Sequence, residues 1–343
     1  MMYPILCKVR YKSLHTLLSR REMWKQVLFS IILNWVVAPF LMVRVVVLST
    51  GEQHRAELLT ILWLTNPLQK LGLAWAFLPD KSDLRAGLIL VGLGRCIAMV
   101  RAGVLSHSPP PTPPKLPLTK PHRQVLIWNG LAAGDHEYCA ILVAINAILQ
   151  MILFAPLAVF FIRVISHESG PLDMPYEAVA TSVAVFLGIP LAAAVVTRFA
   201  LRATAGPDWY DRVFLRFAAP WSLVGLLYII LVLFASQGRQ VVHKVVSVVR
   251  VAAPLIAYFV LIFFITFFVA RRLGFRYSLV VTQSFTAAGN NFELAIAVAV
   301  ATFGAESDQA LAATVGPLIE VPVLLGLVYL VLWAKERWRW QEE

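Results

Sequence analysis

The chain has 343 residues, of which 59% are apolar and only 14% are charged, and this balance excludes an ordinary soluble domain. Its net charge of +11 does not indicate a nucleic-acid partner, because the basic residues lie between long apolar runs, as in the cytoplasmic loops of membrane proteins. We therefore expect one polytopic membrane domain over residues 1–343, with the lipid bilayer as its main solvent. The three cysteines, Cys7, Cys96 and Cys139, form neither a CxxC pair nor an even-numbered disulfide framework.

The first third of the chain contains two apolar runs, 27–42 and 84–99, that are each too short to form a full span. Removing residues 43–70 and 100–124 would join each run to apolar residues beyond it and give spans of roughly 20 residues. Both removed segments begin with Val-Arg, contain Leu-Thr late and have Gln near the end, and these residues can be encoded by splice-donor, branch and acceptor sequences. We hypothesise that both segments are translated introns; the alternative for the second, which is rich in proline, is a genuine polyproline loop.

The rest of the chain predicts six further spans. They lie at about 138–165, 179–199, 217–236, 250–270, 279–303 and 310–333. Together with the two joined spans they predict an all-α polytopic membrane protein with about eight transmembrane helices. Alternate connections are basic or acidic, as the positive-inside rule requires, except that residues 237–250 place three basic side chains on the predicted outer side.

Two of these spans carry charged side chains near their middles, where a charge costs about 2.5–3.5 kcal/mol on insertion scales. Arg95 and Cys96 follow two glycines in one span, and Glu293 follows Gly-Asn-Asn in the other. Interrupted helices at matching places in two halves of a transporter expose backbone groups at the membrane midplane. We therefore expect a central site that contains Arg95, Cys96, Asn290, Asn291 and Glu293.

The residue types in this site indicate metalloid and proton chemistry. A cysteine thiolate is a ligand for soft centres such as trivalent arsenic, and a buried glutamate such as Glu293 can carry a proton across a membrane. Glu320, which lies between two prolines, is a candidate second proton relay or a structural acceptor. The alternatives are that Cys96 is a small residue at a helix contact, that Arg95 pairs with a carboxylate such as Glu293, and that Glu293 is a neutral structural acid.

Other polar residues are expected to have structural roles. Asn34, Asn146 and Gln150 are expected to bond neighbouring helices, whereas Asn129 and Asp135 are expected in a solvated loop at the membrane edge. The seven histidines show no metal-ligand spacing, and no nucleotide-binding loop is present. We therefore expect no cofactor, and an ion gradient or the substrate's own gradient as the source of energy.

The segments that carry this site resemble a known family. RCIAM at 95–99, VLIWNGLAAGDHEY at 125–138, GNNFELAIAVAVATFG at 289–304 and GPLIEVPVLLGLV at 316–328 closely resemble the arsenical-resistance-three arsenite permeases. That resemblance implies the bile acid, arsenite and riboflavin transporter superfamily, with ten spans in two inverted repeats and crossed, broken fourth and ninth helices. Against this pattern, we expect the first span and most of the second to be missing, and the two inserts to interrupt the third and fourth.

The resemblance also implies a function. The family extrudes arsenite, and often antimonite, in exchange for protons, with the cysteine at Cys96 and the glutamate at Glu293 required for transport. The expected location is the plasma membrane, with the vacuolar membrane as the alternative, and the sequence does not indicate an oligomeric state. The alternative functions are a sodium-coupled organic-anion carrier of the same superfamily, a membrane-embedded thiol enzyme, for which no span offers a histidine base, and an inactive product of a faulty gene model.

Overall fold

The chain forms an all-α polytopic membrane protein. The computed structural model describes residues 2–7, 21–39, 82–95, 127–165, 175–338 and 340, and every regular element within these ranges is a helix. The main helices are α1 (Met2–Cys7), α2 (Arg21–Ile32), α3 (Ser82–Leu93), α4 (Ile127–Leu131), α5 (His136–Val159), α6 (Tyr176–Thr204), α7 (Leu215–His243), α8 (Val245–Arg272), α9 (Tyr277–Ala288), α10 (Phe292–Phe303) and α11 (Asp308–Arg337). Short π-helical or α-helical turns follow α2 (Leu33–Val37) and α5 (Phe160–Ile165) and precede α7 (Pro207–Trp209 and Tyr210–Phe214). The segments 43–70 and 100–124, and with them Cys96, lie outside the described residues.

Among the described residues, four helical stretches are long and apolar enough to cross a membrane. They are Ile141–Ile162, Tyr176–Thr204, Val245–Arg272 and Asp308–Arg337. They correspond to the four spans predicted at about 138–165, 179–199, 250–270 and 310–333. α11 runs as one helix through Pro317 and Pro322, so Glu320 lies on a continuous helix.

Two helical paths are interrupted where the sequence has glycine and asparagine. α3 ends at Leu93 and the chain is extended at Arg95, whereas α9 and α10 are separated by residues 289–291. Asn291 starts α10, because its side-chain oxygen accepts a hydrogen bond from Leu294 N at 3.2 Å. The break therefore has its own capping residue and is part of the fold.

α11 is the helix against which both broken paths pack. It contacts α3, α8 and α10, and α8 in turn contacts α9. Gly87 of α3 lies so near α11 that a Cβ there would be 2.5 Å from the carbonyl oxygen of Gln309. Gln309 Nε2 also donates a hydrogen bond to Asp83 Oδ1 at 3.0 Å, which ties the start of α3 to the start of α11.

An acidic residue pairs with the basic connection between α7 and α8, the connection whose charge does not follow the positive-inside rule. Lys244 forms an ion pair with Asp308, the first residue of α11. This contact places the α7–α8 and α10–α11 connections at the same end of the molecule. One of the unexpected positive charges at that end is thus compensated.

Candidate functional site

The two helix breaks meet in the interior of the protein. Arg95 and Asn290 form an isolated antiparallel bridge, and Asn291 N donates a hydrogen bond to the carbonyl oxygen of Gly94 at 2.9 Å. The absence of a side chain at Gly94 permits this approach, since a Cβ there would lie 2.7 Å from the carbonyl oxygen of Asn291. The predicted residues Arg95, Asn290 and Asn291 therefore lie together at one crossing point.

Arg95 is completely buried at this crossing, with 0% of its surface exposed. Its Nη1 donates a hydrogen bond to Tyr258 Oη on α8 at 3.1 Å. Nε and Nη2 are buried and have no hydrogen-bond partner among the described residues. Within those residues Arg95 makes no ion pair with Glu293 or any other carboxylate, so part of its hydrogen-bonding capacity is unused.

The two asparagines have different roles in the geometry. Asn291 holds the break together, because its Oδ1 caps α10 and its Nδ2 donates to Gln150 Oε1 on α5 at 3.4 Å. Asn290 uses only its backbone, whose N–H donates to Glu320 Oε1 at 3.3 Å. Both side-chain atoms of Asn290 are buried without a partner in the described part of the chain.

Two carboxyl groups flank the crossing. Glu293 lies in the first turn of α10, where the helix dipole favours a negative charge, and Glu320 reaches the break from α11. Both side chains are partly buried, and Glu320 accepts a hydrogen bond from the backbone of Asn290, three residues before Glu293. The crossing thus combines one buried cation with two groups that can carry protons.

A second polar cluster fixes the turn between α4 and α5 to α9. Thr282 Oγ1 donates to Asn129 Oδ1 at 2.9 Å, Asn129 Nδ2 donates to the carbonyl oxygen of Asp135 at 3.0 Å, and Asp135 N donates to Thr282 Oγ1 at 2.9 Å. Asn129 is completely buried, so the expectation that it lies in a solvated loop is wrong. Its polar atoms are satisfied inside the protein because Thr282 supplies the missing donor.

Sequence reasoning missed Tyr258 as a member of this site. A single tyrosine in an apolar span carries no positional signal, and its contact with Arg95 joins residues 163 positions apart. Gln150 was expected to bond a neighbouring helix, and the structure places it against Asn291. Cys96 follows Arg95 directly in the chain but is outside the described residues, within which no group of three or more His, Cys, Asp or Glu side chains could hold a metal ion.

Comparisons with known proteins agree on one family. The model of the sodium/bile acid symporter family matches residues 1–60 and 120–244. The chain is 42% identical over 337 residues to the arsenical-resistance protein Acr3 of Corynebacterium glutamicum, a match that covers 97% of this chain and 76% of that protein. It is also 30% identical over 328 residues to an uncharacterized transporter of Synechocystis, covering 96% of this chain and 75% of the other. The Acr3 protein of Alkaliphilus metalliredigens is 26% identical over 330 residues, with 96% and 78% of the two chains covered.

Proposed function

Because the chain belongs to the Acr3 family of membrane transporters, within the sodium/bile acid symporter family, we propose that it exports arsenite from the cytoplasm in exchange for protons. The observation that carries this proposal is the crossing of the two helix breaks. There Arg95 has buried donors that no described residue satisfies, and Cys96 follows it directly in the sequence. Antimonite, which is also a trivalent hydroxylated metalloid, would use the same site.

Cys96 supplies the ligand for the metalloid in this proposal. At neutral pH arsenite is mostly trihydroxyarsenic, and a thiol replaces one of its hydroxyl groups, forming a sulfur–arsenic bond and releasing one water molecule. On the outer side water reverses the exchange and restores the thiol. A single thiol favours such release, because three thiolates would hold arsenic tightly.

Glu293 supplies the coupling to protons. It takes up a proton from the outside as the metalloid leaves and returns that proton to the cytoplasm before the next metalloid binds. Arg95 and the Asn290 side chain contact the bound hydroxyl groups, and Asn291 preserves the geometry of the break. The plasma membrane is the location that we propose, because transport across it removes arsenite from the cell.

The test is transport by everted membrane vesicles from cells that express the full chain. Acidifying the vesicle lumen should drive arsenite accumulation, and Cys96→Ser should lower the initial rate by at least about tenfold because the only protein ligand is lost. Cys139→Ser is the matched control: Cys139 is buried near the start of α5, away from the crossing in the proposal, and should keep the original rate.

Three results would contradict the proposal. An unchanged rate in Cys96→Ser would remove the coordination role. Sodium-dependent uptake of a bile-acid-like anion, with neither arsenite transport nor a need for Cys96, would instead identify a sodium-coupled carrier, and no transport of either solute would identify an inactive chain.

A further inference from the structure

One face of α5 turns two amide side chains toward the other helices. Asn146 and Gln150 are four residues apart and therefore lie on the same face of the helix, and both are buried. Asn146 Oδ1 accepts a hydrogen bond from Trp35 Nε1 at 3.2 Å, and Gln150 Oε1 accepts one from Asn291 Nδ2 at 3.4 Å. Each amide therefore uses its oxygen.

The partners determine which atom of each amide remains free. The Trp35 indole N–H can only donate, so the oxygen of Asn146 must face it and Nδ2 is left over. The side-chain oxygen of Asn291 already accepts a hydrogen bond from the N–H of Leu294. Asn291 therefore donates its NH₂ group to the oxygen of Gln150, and Gln150 Nε2 is the atom that remains. Both leftover nitrogens are buried without a partner in the described part of the chain.

Gln150 belongs to the crossing rather than to a separate cluster. It bonds Asn291, whose backbone N–H bonds Gly94, the residue before Arg95. Counting only the residues that the structure describes, the donors without a partner around this point are Gln150 Nε2, Arg95 Nε and Nη2, and Asn290 Nδ2, and Asn290 Oδ1 is an acceptor without one. Since buried N–H groups are costly to leave unpaired, a ligand that occupies the crossing must offer several acceptor oxygens.

We propose that Gln150 is a specificity-determining residue, whose Nε2 donates a hydrogen bond to a hydroxyl oxygen of the transported metalloid. Asn146 extends the same donor face by one helical turn. This inference rests on the proposed function and adds to it the reason for selecting a trihydroxy species. Methylarsonous acid, which has two hydroxyl groups and a methyl group, satisfies fewer of these donors and is therefore a poorer substrate.

The experiment compares two variants of the full chain in the same vesicles. Gln150→Met removes both the acceptor for Asn291 and the donor for the metalloid, whereas Gln150→Glu keeps an oxygen for Asn291 and replaces only the NH₂ group. Both should raise the KM for arsenite about three- to tenfold, the value of one hydrogen bond, with kcat and the dependence on the proton gradient little changed. The preference for arsenite over methylarsonous acid should fall by a similar factor.

Ile148→Met is the matched control, because Ile148 lies on the same helix with an exposed side chain and should leave both quantities unchanged. If Gln150→Glu transports arsenite with the original KM and the original preference, the side chain acts only by holding Asn291 and the inference is wrong. If the full chain transports arsenite and both Gln150 variants have the same KM as the full chain, this inference is wrong and the proposed function stands. A full chain that transports no arsenite would defeat the proposed function itself.

Discussion

Arg95 shows how a single residue organises the centre of this protein. A guanidinium group in hydrocarbon is costly and remains only where polar groups meet it, and Tyr258 Oη provides one such contact on Nη1. Nε and Nη2 have no hydrogen-bond partner within the described ranges, and the proposed function assigns them to the hydroxyl oxygens of the metalloid. In the proposed antiport, a carboxyl group at the crossing, Glu293 or Glu320, carries the proton.

Glu293→Gln tests which group carries that proton. The amide is nearly isosteric with the acid but cannot exchange a proton, so we expect uptake driven by an acidic vesicle lumen to fall to the level without a gradient. Exchange of labelled arsenite between equal concentrations on the two sides should persist, because it requires no net proton movement. If Glu293→Gln still accumulates arsenite against its gradient, the coupling group lies elsewhere.

Glu320→Gln is the comparison at the same site. Its amide oxygen can still accept the hydrogen bond from Asn290 N, so the geometry of the break is retained. If Glu320 is only a structural acceptor, proton-driven uptake continues in this variant. If Glu320→Gln instead loses proton-driven uptake but still exchanges labelled arsenite, Glu320 is the second proton relay.

At the scale of whole helices, the shape of the crossing depends on the packing of the start of α10 against α11. Gly316 of α11 faces Phe292, the first residue of α10, and a Cβ at Gly316 would overlap the Phe292 ring. Phe292 stands between the cap residue Asn291 and Glu293, and its ring is almost fully buried. Displacing the ring would shift both neighbours, Asn291 and Glu293.

Gly316→Ala should therefore be destabilising, by about 1–3 kcal/mol, the usual cost of overpacking a filled interior. We expect a lower melting temperature of the solubilised protein and a lower rate of arsenite transport. Gly326→Ala on the same helix is the control, since nothing lies within 4 Å of its added Cβ. Equal behaviour of the two variants would mean that the contact between α10 and α11 is looser than the structure shows.

The helices also show what sequence alone could predict. Continuous apolar runs predicted the spans from residue 138 onward, and the Gly-Asn-Asn sequence predicted the break before α10. Contacts between distant helices, such as Gln150 with Asn291 at a separation of 141 residues, leave no such pattern. Asn129 was misassigned for the same reason, because the threonine that satisfies it is 153 residues away.

At the scale of the whole molecule, the ends of the helices are held by charge and aromatic contacts. Lys244 pairs with Asp308 at one end, and elsewhere the guanidinium of Arg271 lies over the rings of Trp338 and Trp340, at 4.4 and 5.2 Å from their centroids. Cation–π contacts of this kind suit a membrane interface, where an aromatic ring is partly wet. They connect the end of α8 to the end of α11, the helix that supports both broken paths.

Also at this scale, the two proposed inserts, residues 43–70 and 100–124, would interrupt two membrane-crossing paths. Removing residues 100–124 would leave eight residues, 94–99 and 125–126, between the described ends of α3 and α4, so that the two helices could belong to one membrane-crossing path. Removing 43–70 would likewise extend the path that begins with α2 to a full span. An intervening polar and proline-rich segment is hard to place in hydrocarbon, since its backbone groups would lack partners there.

We therefore expect the mature transcript to lack the codons for both segments, and a chain without them to reach the membrane in larger amounts. In an arsenite-sensitive host, that shortened chain should support growth at higher arsenite concentrations than the full chain, with the protein amount measured on the same cells. Replacing 100–124 by a Gly/Ser segment of equal length controls for length and should give no such gain. A transcript that retains both segments, together with weaker growth of the shortened chain, would show that they are genuine parts of the transporter.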